Sequence, residues 1–164
     1  MSSVSWLRPG GGRLAVGNQA FEWMKRCRQC DPGSVESGGI LLGRILTGGK
    51  DVVIDYVTGP SPSDYRSRSR FTRQVEPTQT IIRRVWEHSQ GTCIYLGEWH
   101  THPSELAQPS NFDLHSWAKH VHLSQFSRDF LLFSIISVEE LCVWELRSSM
   151  AAPAKLLPNE ASAY

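Results

Sequence analysis

The chain has 164 residues, 40% hydrophobic and 20% charged, with a formal net charge of +1. That length can bury one proper core, and the near-neutral balance supplies no global field that would favour nucleic acid or an acidic membrane surface. The longest apolar run, residues 130–138, contains Ser134 and is too short to span a bilayer. The first residues lack the basic start and apolar stretch of a signal peptide, so a cytoplasmic protein is expected.

Residues 1–12 end in Gly10-Gly11-Gly12 and read as a flexible N-terminal arm, in which Trp6 and Leu7 can still dock. Residues 13–16 read as a short strand. Gly17 or Asn18 can cap a helix over 19–28 that turns Phe21, Met24 and Trp23 inward, and Asp31-Pro32-Gly33-Ser34 ends it. Cys27 and Cys30 have a C-x-x-C spacing at the end of that helix. No second pair completes a zinc knuckle, since Cys93 and Cys142 sit singly in apolar runs, so reduced structural thiols are expected.

A strand follows over 36–46, where Gly38 and Gly39 mark close backbone approach or a bulge. Thr47-Gly48-Gly49-Lys50 reads as a hairpin turn. The partner strand, 51–57, places Val52, Ile54 and Tyr56 on one face. A loop then carries Arg66, Arg68, Arg70 and Arg73. With no interleaved stacking aromatics and no matching net charge, this run reads as a solvated loop or a surface that meets a partner protein, not a nucleic-acid site. Phe71-Thr72-Arg73 suits a short strand. Pro77 suits the first turn of a helix to about residue 88, with an apolar stripe of Ile81, Ile82, Val85 and Trp86.

The most informative stretch comes next. Residues 93–97 are short, apolar and β-prone. They lead into Trp99-His100-Thr101-His102-Pro103. Residues two apart on a strand point the same way, so His100 and His102 share a face at the strand end and Thr101 points to the other. Pro109-Ser110 opens a helix to about residue 121, with Asp113 in its first turn. Two imidazoles and a carboxylate suit zinc, and three protein ligands leave the fourth position for water, the catalytic arrangement. The same Ser110 and Asp113 also have the spacing of a capping box. His115 lies about 200° round the helix from Asp113 and should not share the metal. With His120 and His122 it is expected to be a surface or partly packed residue. Residues 130–138 and 141–146 read as two final strands, and 148–164 as a disordered tail.

The pattern H-x-H-P followed by P-S-x-x-D, with Glu36-Ser37-Gly38-Gly39-Ile40-Leu41-Leu42-Gly43 upstream, resembles the signature of the JAMM (MPN-plus, JAB) zinc metalloproteases. The resemblance covers roughly residues 13–146. It implies a single α/β domain, here 13–147, with a curved mixed sheet flanked by helices, which agrees with the element order. It implies one zinc per chain with a bound water, held by His100, His102 and Asp113. Two glutamates compete for the general base: Glu98 shares the strand face of His100, and Glu36 opens the glycine-rich strand. Proximity alone favours Glu98 and would even allow it as a ligand; the resemblance favours Glu36. It also gives Ser110 the role of oxyanion donor. Gly38 and Gly39 would let an extended substrate tail lie close to the backbone.

Members of that family remove ubiquitin or ubiquitin-like proteins after a C-terminal glycine. The G-E-W-H-T-H-P form and the arginine-serine run look like bacterial members that accompany E1-like and E2-like proteins in CBASS and ubiquitin-like anti-phage operons. The expected activity is deconjugation of a ubiquitin-like modifier or of a nucleotidyltransferase C-terminal tail from a protein. Two alternatives stay open: a non-catalytic interaction module on the same fold, and a peptidase processing sulfur-carrier or ubiquitin-like precursors.

Overall fold

Two short apolar runs open the fold: β1 (Val4–Leu7) and β2 (Arg13–Val16) pair antiparallel, with Trp6 opposite Leu14. The computed structural model describes residues 4–123 and 129–160. The rest of the chain follows as α1 (Asn18–Arg26), β3 (Gly38–Ile45), β4 (Val52–Val57), β5 (Tyr65–Ser67), β6 (Arg70–Thr72), α2 (Val75–His88), β7 (Ile94–Thr101), α3 (Asn111–Leu123), β8 (Phe130–Ile136), β9 (Leu141–Arg147), β10 (Ala154–Lys155) and β11 (Leu157–Pro158). The expected mixed α/β class holds. Among the described residues, nine strands form one sheet in the order β10-β9-β8-β7-β3-β4-β2-β1-β11, and β5 and β6 form a separate hairpin.

The sheet is mixed because two of its neighbours need crossovers. Strand β7 pairs antiparallel with β3 and parallel with β8, and α3 lies in the connection to β8. Strands β2 and β4 are also parallel. Parallel neighbours cannot be joined by a tight turn, so these connections carry the helices onto the sheet.

Two expectations for the chain ends are corrected for the described residues. Residues 4–7 are not a loose arm: they are a paired strand, and Trp6 is 3% exposed in the main core. The hairpin turns back through Gly11 and Gly12, whose φ angles of 86° and 81° suit glycine. Nor is the stretch after Arg147 free. β10 pairs with β9 at one edge of the sheet, and β11 pairs with β1 at the other. Leu156 between them is buried, and its N–H donates to the Val143 carbonyl at 2.8 Å. The segment thus joins both edges, leaving a curved, nearly closed sheet with few unpaired backbone groups. Arg8 donates to Glu145 across the same gap at 2.9 Å, and Arg147 takes the other Glu145 oxygen. Residues 1–3 and 161–164 of those expectations lie outside the described residues.

One face of the sheet packs Leu41, Leu96 and Trp99 under α1 through Met24. The other packs Leu131, Phe133 and Trp144 under α3 through Trp117, whose ring stacks on Phe133 at 4.7 Å. Helix α2 covers less, with Ile82 and Val85 on Ile40 and Leu42. Its Ile81 and Trp86, expected on the stripe, are exposed, as is Trp23 of α1. A helix on the flank of a sheet buries a narrow stripe, and these residues fall outside it. Tyr56 is likewise 57% exposed although Ile54 is buried. The ladder shifts between Leu42 and Gly43, so Asp55 is an extra residue and the alternation flips beyond it. No helix of the described residues is long and apolar enough to cross a membrane.

Candidate active site

The phase of β7 decides which side chains reach the site. Its ladder with β3 shifts between Leu41 and Leu42, next to Gly97, whose φ is 148°. A Cβ on Gly97 would stand 1.7 Å from the Leu132 carbonyl oxygen, so only glycine fits this bulge. Beyond it Trp99 and Thr101 point into the molecule and are fully buried. Glu98, His100 and His102 therefore take the other face, as the alternation requires. His102 has left the ladder but is still held by its N–H on the Ile136 carbonyl at 3.0 Å.

The His100 and His102 Nε2 atoms lie 3.0 Å apart. Helix α3 brings Asp113 to them, with Oδ1 at 3.1 Å from His100 Nε2 and Oδ2 at 3.3 Å from His102 Nε2. Ser110 builds the helix start: its N–H and Oγ–H donate to Asp113 Oδ2 at 2.7 and 2.6 Å, and the Asp113 N–H donates back to Ser110 Oγ at 3.1 Å. The expected capping box is thus formed, and the same cap turns the Asp113 carboxylate towards the two histidines. Burial opposes ionisation of Asp113, but hydrogen bonds from His100, His102 and Ser110 outweigh it and hold the acid well below the usual carboxylate range.

These donors suit a metal ion. All the ligand atoms lie within 4.8 Å of one another. Zinc–nitrogen bonds of about 2.0–2.1 Å in a tetrahedron put neighbouring donors about 3.3 Å apart, close to the spacings found. Two imidazole nitrogens facing each other and a carboxylate in a largely buried site form a donor set that a divalent cation neutralises.

Glu36 is brought to this site from far away in sequence. It lies two residues before β3 begins, and Gly38 pairs with His100. The Thr101 N–H donates to the Ser37 carbonyl at 2.8 Å, and the Ser37 N–H donates to Thr101 Oγ1 at 2.9 Å. The Glu36 N–H donates to the Ser67 carbonyl at 2.7 Å, and its carboxyl group accepts from the Phe71 N–H. Glu36 is 4% exposed. Burial pushes its pKa up to about 7, against the opposing influence of His100 and His102. A carboxyl group near neutrality beside a metal donor set can both take up and release a proton.

Glu98 is engaged elsewhere. Arg73 pairs with its Oε1, the Tyr95 hydroxyl donates to it at 3.4 Å, and His120 Nδ1 lies 3.3 Å from Oε2. Burial disfavours its charge, but His120 and the Arg73 guanidinium prevail and lower its pKa to about 2. It is a fixed anion. Of the three spare histidines, His120 is the one drawn into this pairing; His115 and His122 are exposed.

The arginine run differs from the solvated loop expected. It forms the β5–β6 hairpin and braces the site. Arg66 donates to the Glu36 carbonyl at 2.7 Å and to Ser37 Oγ at 2.6 Å. Arg68 donates to the Pro32 carbonyl, and Arg73 holds Glu98. Arg70 lies 4.5 Å from the centre of the Phe112 ring on α3. A partial signal is in the sequence: residues 66–70 alternate Arg and Ser with period two. Gly38 and Gly39 are also accounted for by packing. A Cβ on Gly38 would stand 2.6 Å from the Phe71 ring, and one on Gly39 would stand 2.1 Å from the Thr58 carbonyl oxygen. All four cysteines are free thiols, as expected.

Comparison with known proteins identifies the family. The model of prokaryotic homologs of the JAB domain matches residues 24–148. A CD-NTase/cGAS isopeptidase from Escherichia coli is 38% identical over 117 residues, 71% of this chain and 74% of that protein. One from Pseudomonas aeruginosa is 35% identical over 104 residues, 63% of this chain and 65% of that protein. One from Vibrio cholerae is 38% identical over 86 residues, so the chain spans 54% of its length. A solution structure from Desulfitobacterium hafniense shares the fold, with a TM-score of 0.55 at 22% identity over 85% of this chain and 87% of that one. A match over residues 24–148 takes in Glu36, the two histidines and Asp113 together, and the chain belongs to the prokaryotic JAB-domain homologues.

Proposed function

We propose that this chain is a zinc-dependent isopeptidase that releases a conjugated protein C-terminus from the lysine of a target protein. One observation carries the reading: the segment bearing Glu36 is hydrogen-bonded to Thr101, the residue between the two histidines, so an acid–base group and a metal donor set meet in one buried place. Zinc held by His100, His102 and Asp113 would supply a Lewis acid for the scissile carbonyl and acidify an attacking water.

The remaining work falls to the chain itself. The Glu36 carboxylate accepts the proton of the attacking water and returns it to the departing lysine amine. Thr101 holds the neighbouring Ser37 backbone beside the histidine strand through two hydrogen bonds. Ser110 orients Asp113 and places a hydroxyl at the edge of the site, where it can turn to the developing oxyanion. Glu98, committed to Arg73 and His120, takes no part in proton transfer. Gly38 lets Phe71 of the hairpin close on β3, Gly39 lets the Thr58 carbonyl approach it, and an extended substrate tail would run along the wall they shape.

The names of the curated relatives favour a CD-NTase tail over a ubiquitin-like modifier as the released group. In a CBASS setting, E1-like and E2-like proteins would make the bond that this chain cuts. The test is a defined conjugate of the neighbouring CD-NTase to a lysine-bearing protein. Release of the intact CD-NTase by the zinc-loaded protein, and no release by Glu36→Gln, supports the reading. Equal cleavage of unfolded casein would make it a general peptidase instead.

A further inference from the structure

Gln29 is the buried centre of the C-x-x-C stretch, and neither metal binding nor proton transfer uses it. It is 3% exposed, in the loop that follows α1. Its Oε1 accepts from Thr101 Oγ1 at 2.8 Å. Its Nε2 donates to the Arg68 carbonyl at 3.0 Å and to the Ser34 carbonyl at 3.3 Å. A buried primary amide costs stability unless its atoms find partners, and here both ends are bonded to three separate segments. Those segments are the end of β7, the loop just before Glu36, and the tip of the β5–β6 hairpin.

The position of these bonds matters more than their number. Glu36 lies outside the β3 ladder, so strand pairing does not fix it. It is held instead by its own N–H on the Ser67 carbonyl, by Arg66 on its carbonyl, and through Ser37, whose N–H donates to Thr101 Oγ1 at 2.9 Å. A threonine hydroxyl rotates freely unless its own hydrogen is committed. Gln29 Oε1 takes that hydrogen and turns the oxygen lone pairs towards Ser37. The same amide ties down the hairpin that caps Glu36 through Ser67 and Phe71. We propose that Gln29 is a positioning residue: acting through Thr101 and the hairpin, it holds Glu36 in register with the histidine pair. This rests on the reading of Glu36 given above.

The experiment compares Gln29→Met, Thr101→Val and Thr101→Ser, with Glu36→Gln as the reference, on the CD-NTase conjugate. Gln29→Met and Thr101→Val should each lower kcat by about 10–100-fold, the scale of a small misplacement of a reacting group. KM should change by less than about threefold, and bound zinc per chain should stay at the wild-type level. Hydrogen exchange at the Ser37 amide should quicken in both. Thr101→Ser, which keeps the hydroxyl, should recover most of the wild-type kcat, and combining Gln29→Met with Thr101→Val should be little worse than the poorer single variant. If Glu36→Gln itself retains wild-type kcat, the reading of Glu36 fails and the inference falls with it. If Glu36→Gln is inactive while folded, zinc-loaded Gln29→Met and Thr101→Val turn over like wild type, Glu36 stands and Gln29 is not a positioning residue. Failure of both to fold also overturns the proposal, since Gln29 would then serve the fold and not the base.

Discussion

Glu98 and Arg73 form an ion pair on the strand face that carries His100, with only 16% of either side chain exposed. The pair sits in the wall of a cavity that also includes Phe112, Asp113, Trp117 and His120. Glu98 thereby links the segment after the hairpin and helix α3 to the strand that bears the histidines.

The pair makes a prediction with a definite sign. The Glu98 pKa is depressed to about 2 from its ordinary 4.5 by His120 and Arg73, against burial. Its stabilising contribution is therefore complete above about pH 4.5 and is lost as pH falls towards 2. Glu98→Gln should cost about 2 kcal/mol at neutral pH, and its deficit against wild type should shrink over that acid window. Denaturant unfolding at a series of pH values measures this. The kcat of the folded variant should stay within about tenfold of wild type.

Glu36 has the opposite sign. In the metal-free protein its pKa is raised to about 7 by burial, so folding favours its neutral form. The favourable contribution is present below about pH 4.5 and disappears as pH rises through 7. Glu36→Gln should then match wild type in acid and be the more stable protein above pH 7, by about 1 kcal/mol or more, in thermal unfolding with chelator present. The same variant should keep its zinc and lose about 10²–10⁴-fold in kcat.

Ser110 serves the cap and the ligand together. Ser110→Ala should cost about 1 kcal/mol as a lost helix cap. It should also weaken zinc binding by about 10–100-fold, because Asp113 loses the partner that aims it. Zinc titration and unfolding on one preparation separate the two effects.

The C-terminal segment should behave as a structural staple. Leu156 fills the core where the two sheet edges meet, so Leu156→Ala should cost about 3 kcal/mol. A lower urea midpoint at unchanged slope checks it. An unchanged midpoint would mean the edges hold without the segment.

The donor set was legible because it is local. His100 and His102 need only strand alternation, and Asp113 needs only a helix start at Pro109-Ser110. Glu36 is not readable from its own surroundings: proximity alone favours Glu98, and only the family resemblance points to Glu36. What the sequence hid was long-range and polar. Arg66 and Arg73 read as solvated charge, yet each has a buried or half-buried partner 25 or more residues away in sequence. Gln29 gave no periodic signal because it lies in a loop. The chain ends were misread for a related reason: β1 and residues 154–158 are too short to register as strands alone, and pairing with distant strands stabilises them.

The central claim is that one site, built from Glu36, His100, His102 and Asp113, hydrolyses an isopeptide bond with a bound metal. The most direct measurement follows release of CD-NTase from its lysine conjugate by protein with zinc, after chelation, and after zinc is restored, with metal content assayed alongside. The account predicts release with about one zinc per chain, none in the chelated protein, recovery on adding zinc back, and no recovery with His102→Ala. Undiminished release by protein shown to be free of metal would contradict it.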